Sequence, residues 1–168
     1  MSGETPFYAQ GLRFSCARCS ICCRHDAGFV FLSRKDSSLL EKTLKMDNRE
    51  FVETYCRWVP SENGDDRLSL REKSNFDCVF WLRKGVESSA GAGEEGGCSV
   101  YEARPLQCRA FPFWSSVLGS KNSWNATAAA CPGMNKGTLH SGETIKKWLA
   151  MRQNEPIISR GIKKRGDS

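Results

Sequence analysis

Four cysteines fall in one short run, Cys16-x-x-Cys19-x-x-Cys22-Cys23, and five more follow at Cys56, Cys78, Cys98, Cys108 and Cys131. A two-residue gap lets a chain loop back so that both sulfurs face one ion, with thiolate–zinc contacts of about 2.3 Å. Three cysteines at that repeat also hold three corners of a four-iron cluster in bacterial ferredoxins, where the fourth arrives from a remote Cys-Pro. This chain has such a dipeptide at Cys131-Pro132. Disulfides fit the pattern less well. An odd number of thiols cannot pair completely, and Met1–Gln10 carries neither the basic flank nor the apolar stretch of a secretory signal. Thiols that stay in the cytosol are kept reduced.

The rest of the composition explains why such a constellation matters. Leu, Val, Ile and Phe together are 33 of 168 residues, just under the roughly 20% that separates folded from doubtful chains. A net charge of +6 is too modest to read as disorder. A thin core that still folds calls for help from something besides apolar burial. The unbroken apolar runs Phe29–Leu32 and Val79–Leu82 are far short of the ~20 residues a membrane helix needs.

Along the chain, residues 1–11 are expected to be a flexible N-terminus, 12–156 one domain with a flexible Gly/Ser/Glu-rich insertion at 84–97, and 157–168 a basic tail. Phe29–Leu32 suits a short strand or an extended lead-in. Ser33 with Asp36, and Asp47 with Glu50, are helix-start signals that predict helices over 34–45 and 48–57. Residues 67–71 suit a strand, and 78–82 and 98–101 the two arms of a hairpin. Pro105 opens a short helix that carries Cys108, 113–130 has no clear pattern, and 141–154 is amphipathic at helical spacing. The fold expected is therefore α+β, a small, irregular, metal-organised single domain with short helices and a β-hairpin.

Side chains of adjacent residues diverge, so Cys22 and Cys23 are poor ligands for one ion. Either they serve two neighbouring sites or one is left for chemistry. Two four-sulfur sites would leave one thiol over, and Cys56, expected inside a helix, is the natural spare because buried cysteine is ordinary core filler.

The pattern Phe14-x-Cys16-x-x-Cys19-x-x-Cys22-Cys23, then Cys78-x-Phe80-Trp81-Leu82, then Cys98-x-Val100-Tyr101-x-x-Arg104-Pro105-x-x-Cys108-Arg109-x-Phe111-Pro112, resembles the bacterial cysteine-cluster family, the CxxCxxCC or YkgJ-like zinc- or iron-chelating domains. The resemblance covers about residues 12 to 135. It implies a cytoplasmic metal-chelating module with Cys16, Cys19, Cys22, Cys23, Cys78, Cys98, Cys108 and Cys131 as ligands. Some relatives belong to flagellin lysine methylases, so the resemblance also admits a protein-modifying enzyme. Two features depart from the family pattern, a longer insertion between Cys78 and Cys98 and the additional Cys56; neither removes a ligand.

All-thiolate ligation suits zinc and iron–sulfur clusters alike. The cysteine triplet with its Cys-Pro favours iron–sulfur, a 4Fe-4S cluster, over Zn²⁺. Arg104 and Arg109 flank Cys108 and are expected to donate to its sulfur from behind the ligands. Trp81, Tyr101, Phe111, Phe113 and Trp114 are expected to pack around the site and keep water out. Gly91-x-Gly93-x-x-Gly96 imitates a dinucleotide fingerprint, but it follows no strand and opens no helix. With only His25 and His140, histidine-rich catalysis is excluded, and His25 is expected on the surface. Tail residues Lys163, Lys164 and Arg165 could serve an adaptor role on nucleic acid, yet two metal–thiolate centres would cancel most of the positive charge, so nucleic acid is not the expected partner. The sequence names no protein partner or substrate and carries no recognisable segment for S-adenosylmethionine. No membrane association is expected.

Overall fold

The computed structural model describes residues 5–24, 28–62, 64–83 and 96–161. His25, most of the expected insertion, the Gly91–Gly93 part of the glycine motif and the basic cluster of the tail lie outside them. In chain order the elements are β1 (Leu12–Phe14), α1 (Arg34–Leu44), α2 (Asn48–Tyr55), β2 (Cys56–Val59), β3 (Asp65–Leu70), β4 (Trp81–Arg83) and β5 (Gly96–Cys98). Then come α3 (Leu106–Ala110), α4 (Ser115–Leu118), α5 (Lys121–Ala130), β6 (Met134–His140), α6 (Gly142–Asn154) and β7 (Ser159–Gly161), with single 3-10 turns at Ile21–Cys23 and Tyr101–Ala103. The fold is α+β, with short antiparallel sheets β1-β6, β2-β3-β7 and a β4-β5 pair. Among the described residues no helix is long and apolar enough to cross a membrane.

The chain divides into two compact units that interleave in sequence. The first comprises Met1–Cys22, Arg83–Gly97 and Ala110–Glu155; the second comprises Cys23–Leu82, Cys98–Arg109 and Pro156–Ser168.

In the first unit, β1 pairs with β6 through Leu12 opposite His140 and Arg13 opposite Leu139, and the register then slips so that Phe14 faces Met134. Left-handed Asn135 and Gly137 make the slip possible; a Cβ on Gly137 would lie 2.2 Å from the Ser15 hydroxyl, so only glycine fits. Phe113, Val117, Leu118, Trp124, Met134 and Ile145 form the core, with Phe14, Trp148 and Leu149 packed against it. Segment 113–130, featureless by periodicity, holds α4 and α5; Ser120 caps α5 by accepting the Ser123 N–H. Ser141 caps α6 in the same way through Thr144.

In the second unit the expected capping box is present. The Ser33 hydroxyl accepts the Asp36 N–H, and the Asp36 carboxylate accepts the Ser33 N–H, both at 3.1 Å. Asp36 is buried, and its other oxygen accepts the Leu106 N–H at 2.8 Å, which ties the start of α3 to the start of α1. Leu32, Leu40, Phe51, Cys56, Leu68, Leu70, Phe80, Val100 and Ala103 make its core.

Three local expectations need correction. The hairpin strands are Trp81–Arg83 and Gly96–Cys98, because Tyr101–Ala103 coils into a 3-10 turn. Helix α2 stops at Tyr55, and Cys56 opens strand β2, since its backbone is extended and pairs opposite Leu70. Residues 157–161, placed with the tail on sequence, are paired: Ile157 bridges Ser33, and β7 borders β3.

Candidate metal centre

Cys16, Cys19, Cys22 and Cys131 belong to the first unit. Cys16 follows β1 directly, and left-handed Arg18 and Ser20 turn the chain between successive cysteines. The start of this loop is pinned to a segment more than a hundred residues away: the Ser15 N–H donates to the Gly133 carbonyl at 3.1 Å. The two backbones approach so closely that a Cβ on Gly133 would sit 2.2 Å from the Ser15 oxygen. Cys131 ends α5, its N–H donating to the Thr127 carbonyl. Burial pushes its thiol above the usual range, and the Gly133 and Met134 N–H groups, donating to the sulfur, pull it back. Cys19 and Cys22 are near enough to act on it electrostatically and raise it further. Cys16, Cys19 and Cys22 are exposed, whereas Cys131 is half-buried.

Cys23, Cys78, Cys98 and Cys108 belong to the second unit, all half-buried. The Cys78 N–H donates to the Cys23 carbonyl at 2.7 Å. The next residues outward repeat the connection with charge. Arg24 Nε donates to Asp77 Oδ1 at 3.0 Å, in a pair whose side chains are 10% and 1% exposed. Asn75 donates to the other Asp77 oxygen at 2.9 Å. The Arg24 guanidinium also lies 3.8 Å from the centre of the Trp81 ring. Ser99 bonds to the Phe80 carbonyl through both its N–H and its hydroxyl, which sets Cys98 beside the segment that begins at Cys78. Cys108 rides on α3, which Gln107 clamps by donating to the Phe29 carbonyl and accepting the Phe31 N–H.

The Arg24–Asp77 pair was not legible in the sequence; only the position of each charge next to a cysteine hinted at it. Buried Trp81 Nε1 has no acceptor among the described residues. The direct contacts of Arg104 and Arg109 are elsewhere than sulfur. Arg104 donates to the Tyr101 carbonyl and stacks 3.6 Å above that ring, while Arg109 donates to the Arg104 carbonyl and stands 4.0 Å from Asp36. Of the expected packing aromatics, Phe113 and Trp81 are buried in their own units, and Phe111 meets Trp114 edge-on.

No disulfide joins any of the nine cysteines. Cys56 is 1% exposed in the core of the second unit, and burial pushes its thiol up to about 12. It packs as an ordinary buried core residue. The chemistry of the other eight fits a thiophilic metal: sulfur donors, one of them held by two backbone N–H groups, without a competing disulfide. Among the described residues, no three His, Cys, Asp or Glu side chains stand close enough as placed to hold an ion. Backbone contacts do bring Ser15 to Gly133 and Cys78 to Cys23.

Comparison with known proteins agrees with this chemistry. Residues 15–132 match the model of the CxxCxxCC family, described as "Putative zinc- or iron-chelating domain". "Uncharacterized protein MJ0661" of Methanocaldococcus jannaschii is 28% identical over 114 residues, 68% of this chain and 52% of that protein. The chain thus spans about half the length of this curated relative. No solved structure matches.

Proposed function

The chain belongs to the CxxCxxCC family of zinc- or iron-chelating domains, and from that premise we propose that it is an iron–sulfur protein whose clustered thiolates hold a 4Fe-4S cluster. The observation that supports this most is that Cys19 and Cys22 lie near enough to Cys131 to act on it electrostatically, so that a remote Cys-Pro shares one unit with a Cys-x-x-Cys-x-x-Cys run. A cluster bound there would supply one-electron chemistry. Cys16, Cys19, Cys22 and Cys131 would hold it, with the Gly133 and Met134 N–H groups directed at the Cys131 sulfur; in the other unit the Arg24–Asp77 pair stands beside the Cys23–Cys78 backbone contact. Backbone N–H donors to sulfur offset thiolate charge and so favour the deprotonated ligand. Nine cysteines without a disulfide among them suit a reducing compartment, which makes the cytoplasm the proposed location.

Anaerobic purification followed by a visible spectrum and by iron, zinc and sulfide analysis tests this reading. Matched iron and sulfide in a brown protein is the expected result. A colourless protein with stoichiometric zinc keeps the chelating role and overturns the iron preference.

A further inference from the structure

Resting on the thiolate-binding reading, we infer that the chain holds two separate metal centres, and that the peptide bond between Cys22 and Cys23 is where their ligand sets divide. The first set is Cys16, Cys19, Cys22 and Cys131; the second is Cys23, Cys78, Cys98 and Cys108.

Three observations converge on this division. The boundary between the compact units falls between Cys22 and Cys23, and it leaves four candidate ligands on each side, with Cys56 as the only thiol left over. Both residues lie in the 3-10 turn Ile21–Cys23, where three residues complete a turn and neighbouring side chains therefore project about 120° apart. That angle is wrong for two ligands of one ion and right for ligands of two. Finally, long-range contacts join segments within each set, while Ser20 of the first loop also donates to the Gly96 carbonyl in the strand of Cys98. In the first set, Ser15 bonds to Gly133. In the second, Cys78 bonds to Cys23, Asp77 pairs with Arg24, and Ser99 bonds to Phe80. Four thiolates complete a tetrahedral zinc site and equally occupy the four corners of one 4Fe-4S cluster, so each set is sufficient alone.

The test is metal and sulfide counting on the anaerobically purified full chain and on cysteine-to-alanine variants. Wild type is expected to carry two centres, as two zinc ions or two clusters. Cys22→Ala and Cys131→Ala should each remove one centre, and the two together still only one. Cys22→Ala combined with Cys108→Ala should remove both. A wild-type chain with a single centre, or a single substitution that empties the chain, overturns the division while leaving metal binding intact. A wild-type chain without stoichiometric metal overturns the thiolate reading itself. Where a variant fails to fold by circular dichroism, the wild-type count decides.

Discussion

The two units solve the same problem by different means. The second builds its cysteine framework on a conventional interior, with Leu32, Leu40, Phe51 and Leu68 each 1% exposed or less, and welds Cys23 to Cys78 with a backbone hydrogen bond and a buried ion pair. The first carries three of its four candidate ligands on an exposed loop whose turns depend on non-glycine residues in the left-handed region, a conformation that costs of order 1–3 kcal/mol per residue. The start of that loop is fastened by the contact of Ser15 with Gly133. The framework of the second unit should keep its form without metal, and that of the first unit should need metal to complete it.

The largest test of this contrast is metal removal. Structural thiolate sites contribute on the order of 10 kcal/mol of apparent folding free energy, comparable with the whole stability of a domain. After anaerobic chelation, amide exchange should accelerate most in β1, β6 and the 15–22 loop and least in β2 and β3. Equal acceleration in both units would erase the distinction.

Next in size is the ion pair. Asp77→Ala removes a buried carboxylate from its pair with Arg24, and breaking such a pair costs about 3–5 kcal/mol. Denaturant unfolding should report a loss of that order, with early exchange in the second unit. The mirror experiment is smaller. Gly133→Ala places a methyl group against the Ser15 carbonyl, and overpacking of this kind costs roughly 1–3 kcal/mol. It should loosen the first unit and lower metal retention there, while the second unit keeps its exchange protection.

The smallest effect at neutral pH separates the spare thiol from the ligands. Because burial raises the Cys56 thiol from 9.0 to about 12, the folded chain keeps that proton where the unfolded chain loses it. Stability is therefore unaffected below pH 9 and falls between pH 9 and 12, by up to about 1.4 kcal/mol per pH unit. Cys56→Ala should flatten the alkaline limb of a stability–pH curve and leave metal content unchanged. Loss of metal in that variant would make Cys56 a ligand.

How much of this was legible from the amino acids depended on range. Ser33 with Asp36 and Asp47 with Glu50 announce their helices because capping is decided within one turn, and the cysteine spacing announces its chemistry for the same local reason. Strand β6 left no such trace. Its residues are mostly exposed, and its partner Leu12–Phe14 lies at the other end of the chain. Cys56 was expected in a helix because the apolar spacing of Phe51, Val52 and Tyr55 runs up to it; pairing opposite Leu70 turned that position into a strand. Arg24 and Asp77 meet across fifty-three residues, and no periodicity encodes such a meeting.

Everything in the account depends on sulfur being what touches the metal. X-ray absorption at the metal edge of the anaerobically purified chain measures that directly. The predicted first shell is sulfur alone, about four atoms at about 2.3 Å for each zinc or iron. A shell dominated by oxygen or nitrogen would contradict the account.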